Sequence, residues 1–169
     1  MGKIYTAMGL MSGTSLDGVD VSIIQSDGDK EFSSILDRFF EYDKELVQKI
    51  LIIREKITDP EKFNKYLKEI KDLEREITLF HAEAVKETVG ISKYSIDLIG
   101  FHGQTIFHDP EIKITKQLGD GKLLSQLTKK EVVYNFRQND LENGGQGAPL
   151  TPIFHNVLAN KINKKFNLG

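Results

Sequence analysis

The chain contains no cysteine, which excludes disulfides and thiolate metal sites and suits a reducing compartment such as the cytoplasm. An excess of either charge is missing as well. Its 23 basic and 25 acidic side chains leave a formal charge of −2, so nucleic acid finds no electrostatic footprint and any anion site must come from local geometry. Apolar runs approaching the roughly 20 residues of a membrane span do not occur. The sequence has no Gly-Lys-Ser/Thr tripeptide for a Walker loop, and Asp17 stands where a Gly-x-Ser-x-Gly elbow would place its last glycine. Met1-Gly2-Lys3-Ile4-Tyr5-Thr6 formally fits a myristoylation pattern, but a core strand is expected immediately after it. A secretory signal fits less well, because Gly9, Ser12 and Gly13 interrupt the apolar stretch.

What is present has the balance of an ordinary globular domain: 169 residues, 39% hydrophobic and 28% charged, with no internal repeat or linker. Its most informative stretch runs from Met8 to Asp20. Apolar residues lead into and out of it, so it reads as a β-hairpin whose tip carries Gly13 and Gly18 around Thr14, Ser15 and Asp17. Glycines allow close backbone approach, and hydroxyls and amides can donate to oxygens, a combination that suits a phosphate. The pattern by itself leaves a plain polar hairpin open.

Ile4–Leu10, Gly18–Gln25 and Phe32–Phe40 are expected to form three successive strands, the last two joined by an Asp27-Gly28 turn. Helical sequence follows from about Lys44 to Arg54. A long amphipathic helix is then expected from Asp59 to Gly90, with Pro60 in its first turn and an apolar stripe including Phe63, Ile70, Leu73, Ile77, Phe80 and Ala84. Packing of that stripe on the chain's own sheet is the simpler reading beside a subunit contact, and His81 on this helix reads as structural. Ser95–Phe101 reads as a buried strand delivering His102, Gly103, Gln104 and Thr105 to its carboxyl end. His102 and His108 lack a recognised metal-ligand spacing, which favours hydrogen bonding. A short strand over Ile112–Leu118, a helix capped by Asp120 and a β-rich run over Glu131–Phe136 follow. A polar loop from Arg137 through Gly147 then feeds a helix capped by Thr151, with Ile153, Phe154, Val157, Leu158 and Ile162 as a buried stripe.

Three stretches resemble the anhydro-N-acetylmuramic acid kinases, bacterial sugar kinases of the actin and Hsp70 ATPase superfamily: Gly9–Asp20, Gly100–His108 and Asn135–Leu150. The resemblance implies an α/β fold with a ribonuclease H-like mixed sheet, three antiparallel strands then parallel strands with helices, as the N-terminal half of an actin-like ATPase. It implies a cytoplasmic enzyme of peptidoglycan recycling that converts 1,6-anhydro-N-acetylmuramic acid, ATP and water to N-acetylmuramic acid 6-phosphate, with Mg²⁺. Gly13, Thr14, Ser15, Leu16, Asp17, Gly18, Val19 and Asp20 would hold the ATP phosphates, Asp17 near the metal. Gln104, Thr105, Arg137, Asp140 and Gln146 would line the sugar side. The small-molecule amino sugar is the expected partner, with no nucleic acid or membrane, and a homodimer is among the assemblies left open. The family's catalytic base lies in an Asp-Thr-Gly-Pro motif that these residues lack, and Asn167-Leu168-Gly169 resembles the strand leading to it. Residues 1–169 are therefore expected to be the nucleotide-phosphate and sugar-binding half of a two-domain kinase, inactive alone. The alternative is a non-catalytic binding half-domain.

Overall fold

The computed structural model describes residues 3–166; the myristoylation-like Met1-Gly2 and the Asn167-Leu168-Gly169 end lie outside the described residues. Strands β1 (Tyr5–Ser12) and β2 (Gly18–Ser26) form the expected antiparallel hairpin, and β3 (Phe32–Glu41) pairs antiparallel with β2. The β2–β3 turn is built by one carboxylate: Asp27 Oδ1 accepts from the N–H groups of Asp29, Lys30 and Glu31 at 3.0, 3.0 and 2.9 Å.

Strand β4 (Leu98–Asp109) is the hinge of the sheet. Its first part runs parallel to β1 on one side and to β6 (Glu131–Tyr134) on the other, while its second part pairs antiparallel with β5 (Ile114–Leu118). The result is a six-stranded mixed sheet. The sequence placed the end of this strand near Phe101, whereas it continues to Asp109. Gly103, at φ +72°, carries it across what reads as a turn, and there β4 holds one residue more than β1: Leu10 pairs with Phe101, but Ser12 pairs with Gln104.

Alternation along the hairpin gives the sheet one dry face. Met8, Leu10, Ser12, Val19, Val21 and Ile23 all point to it. Helix α1 (Lys44–Lys56) and helix α3 (Leu67–Ile91) cover it, contributing Leu46, Ile50 and Ile53 from α1 and Ile70, Leu73, Ile77, Ala84 and Val85 from α3. Helix α1 starts where Asp43 accepts from the Leu46 N–H at 2.8 Å. The single long helix expected from Asp59 is instead interrupted: α2 (Lys62–Lys65) is one turn, and Tyr66, at φ −108° and ψ 22°, separates it from α3. Asp120 caps α4 (Gly121–Thr128) as expected, through the N–H groups of Lys122 and Leu123.

Two further elements depart from expectation. The polar segment after β6 is a short helix, α5 (Phe136–Glu142), rather than a loop; Asn135 in the left-handed region turns the chain into it, and Leu141 is fully buried beneath it. The last helix, α6 (Pro152–Phe166), does not bury its stripe: Ile153 is 81% exposed, and Phe154, Leu158 and Ile162 are also exposed. Phe154 meets Phe32 at a centroid distance of 4.9 Å, and Lys161 donates to the Phe32 carbonyl at 2.7 Å, so α6 touches the start of β3 but not the core.

Candidate functional site

The tip between Ser12 and Gly18 is held at nearly every residue, mostly by groups distant in sequence. Gln104 Nε2 donates to the Gly13 carbonyl at 2.9 Å, and the Leu16 N–H reaches the same carbonyl at 3.4 Å. Arg54 donates to the Thr14 carbonyl at 3.3 Å, and the Tyr42 N–H donates to the Asp17 carbonyl at 3.0 Å. Leu16 occupies the left-handed region at φ 60° while its side chain is buried, so it anchors the tip from below. A leucine in that conformation is strained and persists only where its surroundings enforce it.

What faces solvent is Thr14, Ser15 and Asp17. Among the described residues the N–H groups of Thr14 and Ser15 have no hydrogen-bond partner. Ser15 Oγ donates to Asp17 Oδ1 at 2.6 Å, and this hydrogen bond, with help from backbone amides, holds the Asp17 carboxyl below the ordinary carboxylate range. The tip therefore combines unpaired donors with an ionised, open carboxylate. No cluster of three or more metal-binding side chains exists among the described residues, and Asp17 presents a single open carboxylate at the tip.

The remaining hairpin residues of the expected phosphate set do other work. Gly18 is required by the sheet, since a Cβ there would overlap the Phe40 carbonyl oxygen. Val19 is fully buried in the core. Asp20 pairs with Met11 on the last rung before the tip and faces the opposite side of the sheet from the helices.

That opposite side holds a cleft of about 920 Å³ lined by Met11, Asp20, Ser22, His102, Phe136, Arg137, Asn139, Asp140 and the 148–151 segment. Arg137, from the first turn of α5, is fixed in it by two bonds: Nε donates to His102 Nε2 at 2.8 Å, and Nη1 donates to the Gly147 carbonyl at 2.6 Å. For His102 to accept, its proton must sit on Nδ1, which lies 2.6 Å from the Gly103 carbonyl. Burial first, and then the Arg137 charge, push the His102 pKa down, keeping it neutral. The guanidinium retains its far edge for an anion in the cleft, a planar fork suited to a carboxylate or phosphate. Asp140 shapes the rim, accepting from the Gly147 N–H at 2.7 Å, and a Cβ on Gly145 would collide with its carboxylate.

Arg137 and Asp140 thus share a cleft, whereas Gln104 does not line it. The extra residue at the Gly103 bulge turns Gln104 to the helix-covered face, opposite Ser12 and beneath the tip. Thr105 accepts from Gln117 Nε2 across the β4–β5 ladder at 3.2 Å, and Gln146 is exposed beside the cleft without lining it. His102 was not among the residues expected to line the sugar side. Its signal was present in the motif, but which neighbour it served could not be read from the chain.

The sequence model of the anhydro-N-acetylmuramic acid kinase family matches residues 5–168. The chain belongs to this family. It is 55% identical over 161 residues to the anhydro-N-acetylmuramic acid kinase of Pelagibacter ubique, covering 95% of this chain and 43% of that relative. The kinase of the same name from Agrobacterium fabrum is 41% identical, with 94% and 43% covered, and that from Rhodopseudomonas palustris is 41% identical, with 98% and 46% covered. The chain thus spans under half the length of the curated relatives it matches. Within the family match fall both the hairpin tip and the Arg137 cleft, which meet at the Met11–Asp20 rung.

Proposed function

We propose that this chain is the nucleotide-phosphate and sugar-binding portion of a kinase that converts 1,6-anhydro-N-acetylmuramic acid, ATP and water to N-acetylmuramic acid 6-phosphate in the cytoplasm. The adjacency of a donor-rich tip and an arginine-bearing cleft carries this reading. Phosphoryl transfer needs alignment and charge neutralisation more than covalent chemistry from the protein. In the proposed arrangement Thr14, Ser15 and the tip amides meet the ATP phosphates, and Asp17 holds a magnesium that neutralises phosphate charge. Arg137, oriented by His102 and Gly147, takes the substrate's lactyl carboxylate, while Asp20, Asp140 and Asn139 offer partners to hydroxyl and amide groups. Met11 and Phe136 supply apolar surface for the sugar ring and its acetyl group. The sheet order, three antiparallel strands followed by β4 and β6 parallel to β1, supports a ribonuclease H-like half of an actin-like ATPase.

The family's Asp-Thr-Gly-Pro base motif is not among these 169 residues, and loss of a general base alone typically slows a reaction by about 10²- to 10⁴-fold. The 169-residue chain is therefore expected to show no sugar-dependent ADP release, and a version extended by a relative's remaining length is expected to show it. Turnover by the short chain near the long chain's rate would move the base to Asp17, Asp20 or Asp140. If both versions bind sugar and neither releases ADP, the binding half-domain reading replaces the kinase one.

A further inference from the structure

The least expected group in the core lies directly beneath the tip. Ser12, the last residue of β1, is 1% exposed, and its hydroxyl lies 2.8 Å from the Tyr42 hydroxyl and 3.1 Å from His81 Nε2. His81 is fully buried in the middle of α3, with Nδ1 2.8 Å from the Ile77 carbonyl.

A carbonyl only accepts, so the imidazole proton is on Nδ1 and Nε2 of the neutral ring is an acceptor. Ser12 must then give its one proton to His81, and the Tyr42 hydroxyl must donate to Ser12. The relay has one direction, from Tyr42 through Ser12 and His81 to Ile77. Phe101 stands edge-on to His81 at 4.9 Å and Phe80 edge-on to Tyr42 at 4.8 Å, so the relay runs through apolar surroundings where an unmade hydrogen bond is costly. Tyr42 also grips the far side of the tip, through its N–H to the Asp17 carbonyl at 3.0 Å. One residue beyond the end of β3 thereby holds both ends of the tip.

We propose that Tyr42 and His81 are positioning residues for the hairpin tip: acting through Ser12, they fix the backbone from Gly13 to Asp17 in the conformation that presents its donors to a polyphosphate. The polyphosphate part rests on the reading above; the positioning part does not. Neither residue reaches the exposed face of the tip, so their effect is conformational.

The test uses Tyr42→Phe, His81→Phe and His81→Gln in the 169-residue chain. Tyr42→Phe removes one oxygen and keeps the ring. His81→Phe removes the acceptor, and His81→Gln restores an acceptor to Ser12. Hydrogen exchange at the two hydrogen-bonded amides of the tip, the N–H groups of Leu16 and Tyr42, is measured without ligand, and Mg·ATP affinity by calorimetry. Tyr42→Phe and His81→Phe are expected to raise tip exchange and weaken Mg·ATP by about fivefold, the effect of one net hydrogen bond, with His81→Gln recovering most of both. Unchanged tip exchange in folded Tyr42→Phe, or a His81→Gln variant as impaired as His81→Phe, overturns the proposal; should His81→Phe fail to fold, Tyr42→Phe alone decides. Failure of the wild-type chain to bind Mg·ATP would overturn the phosphate reading, while the exchange measurements still judge the relay.

Discussion

Acidification should destabilise this protein through His81 in particular. Burial pushes its pKa from 6.5 down to about 4, outweighing the Ile77 carbonyl, which raises it. The folded state therefore holds the neutral ring, while the unfolded chain takes up a proton at ordinary pH. The contribution is fully present above pH 6.5 and is lost as pH falls from there toward 4. With those two values, linkage gives a loss of about 2 kcal/mol between pH 7 and pH 5 and about 3 kcal/mol by pH 4. For a chain of this size, 2 kcal/mol corresponds to roughly 4–8 °C in melting temperature.

Urea denaturation at pH 7, 6 and 5 measures this, with His81→Gln as the reference. Asp17, Asp27 and Asp59 also have depressed pKa values, but they titrate in both proteins and cancel in the comparison. Wild type should lose about 2 kcal/mol more than the variant between pH 7 and pH 5. Parallel stability curves would refute the reasoning, because a buried neutral imidazole must leave this difference.

Arg137→Ala should weaken binding of the sugar acid by about 1.5–3 kcal/mol, the range for a charge-assisted hydrogen bond, and calorimetry with N-acetylmuramic acid measures it. The same affinity should fall as pH drops through the depressed pKa of His102, because a protonated ring can no longer accept from Arg137 Nε; a profile that stays flat on acidification while the fold holds would separate His102 from the clamp. Gly18→Ala should destabilise the fold by about 1–3 kcal/mol through its clash with the Phe40 carbonyl, read as a lower urea midpoint at unchanged slope.

Local pattern carried much of the fold. Alternation identified β1 and β2, the Asp27-Gly28 step identified the β2–β3 turn, and Asp120 identified the start of α4. These features depend on neighbours in sequence, which is why they could be read. What escaped depends on distance: His81 is 69 residues from Ser12, Tyr42 is 30, and Gln104 is 91 from the Gly13 carbonyl it holds. The polar segment after β6 misled for a related reason. Its Asn, Gln and Asp residues have loop-like composition, yet tertiary burial of Leu141 draws them into a helix.

The Gly103 bulge shows why a motif can be legible while the site it builds is not. Read with strict alternation, His102 and Gln104 would share a face and both would line the cleft with Arg137. One extra residue in β4 sends Gln104 to the other side, so the motif serves two sites at once. His102 orients the arginine on the open face, while Gln104 joins Ser12 in supporting the tip from the dry face. The hairpin has the same division: Met11 and Asp20 face the cleft, and Ser12, the next residue of β1, faces the helices. Because both faces are built on the same two strands, the cleft and the tip are mechanically coupled, which is the alignment that the proposed phosphoryl transfer between two bound substrates would require.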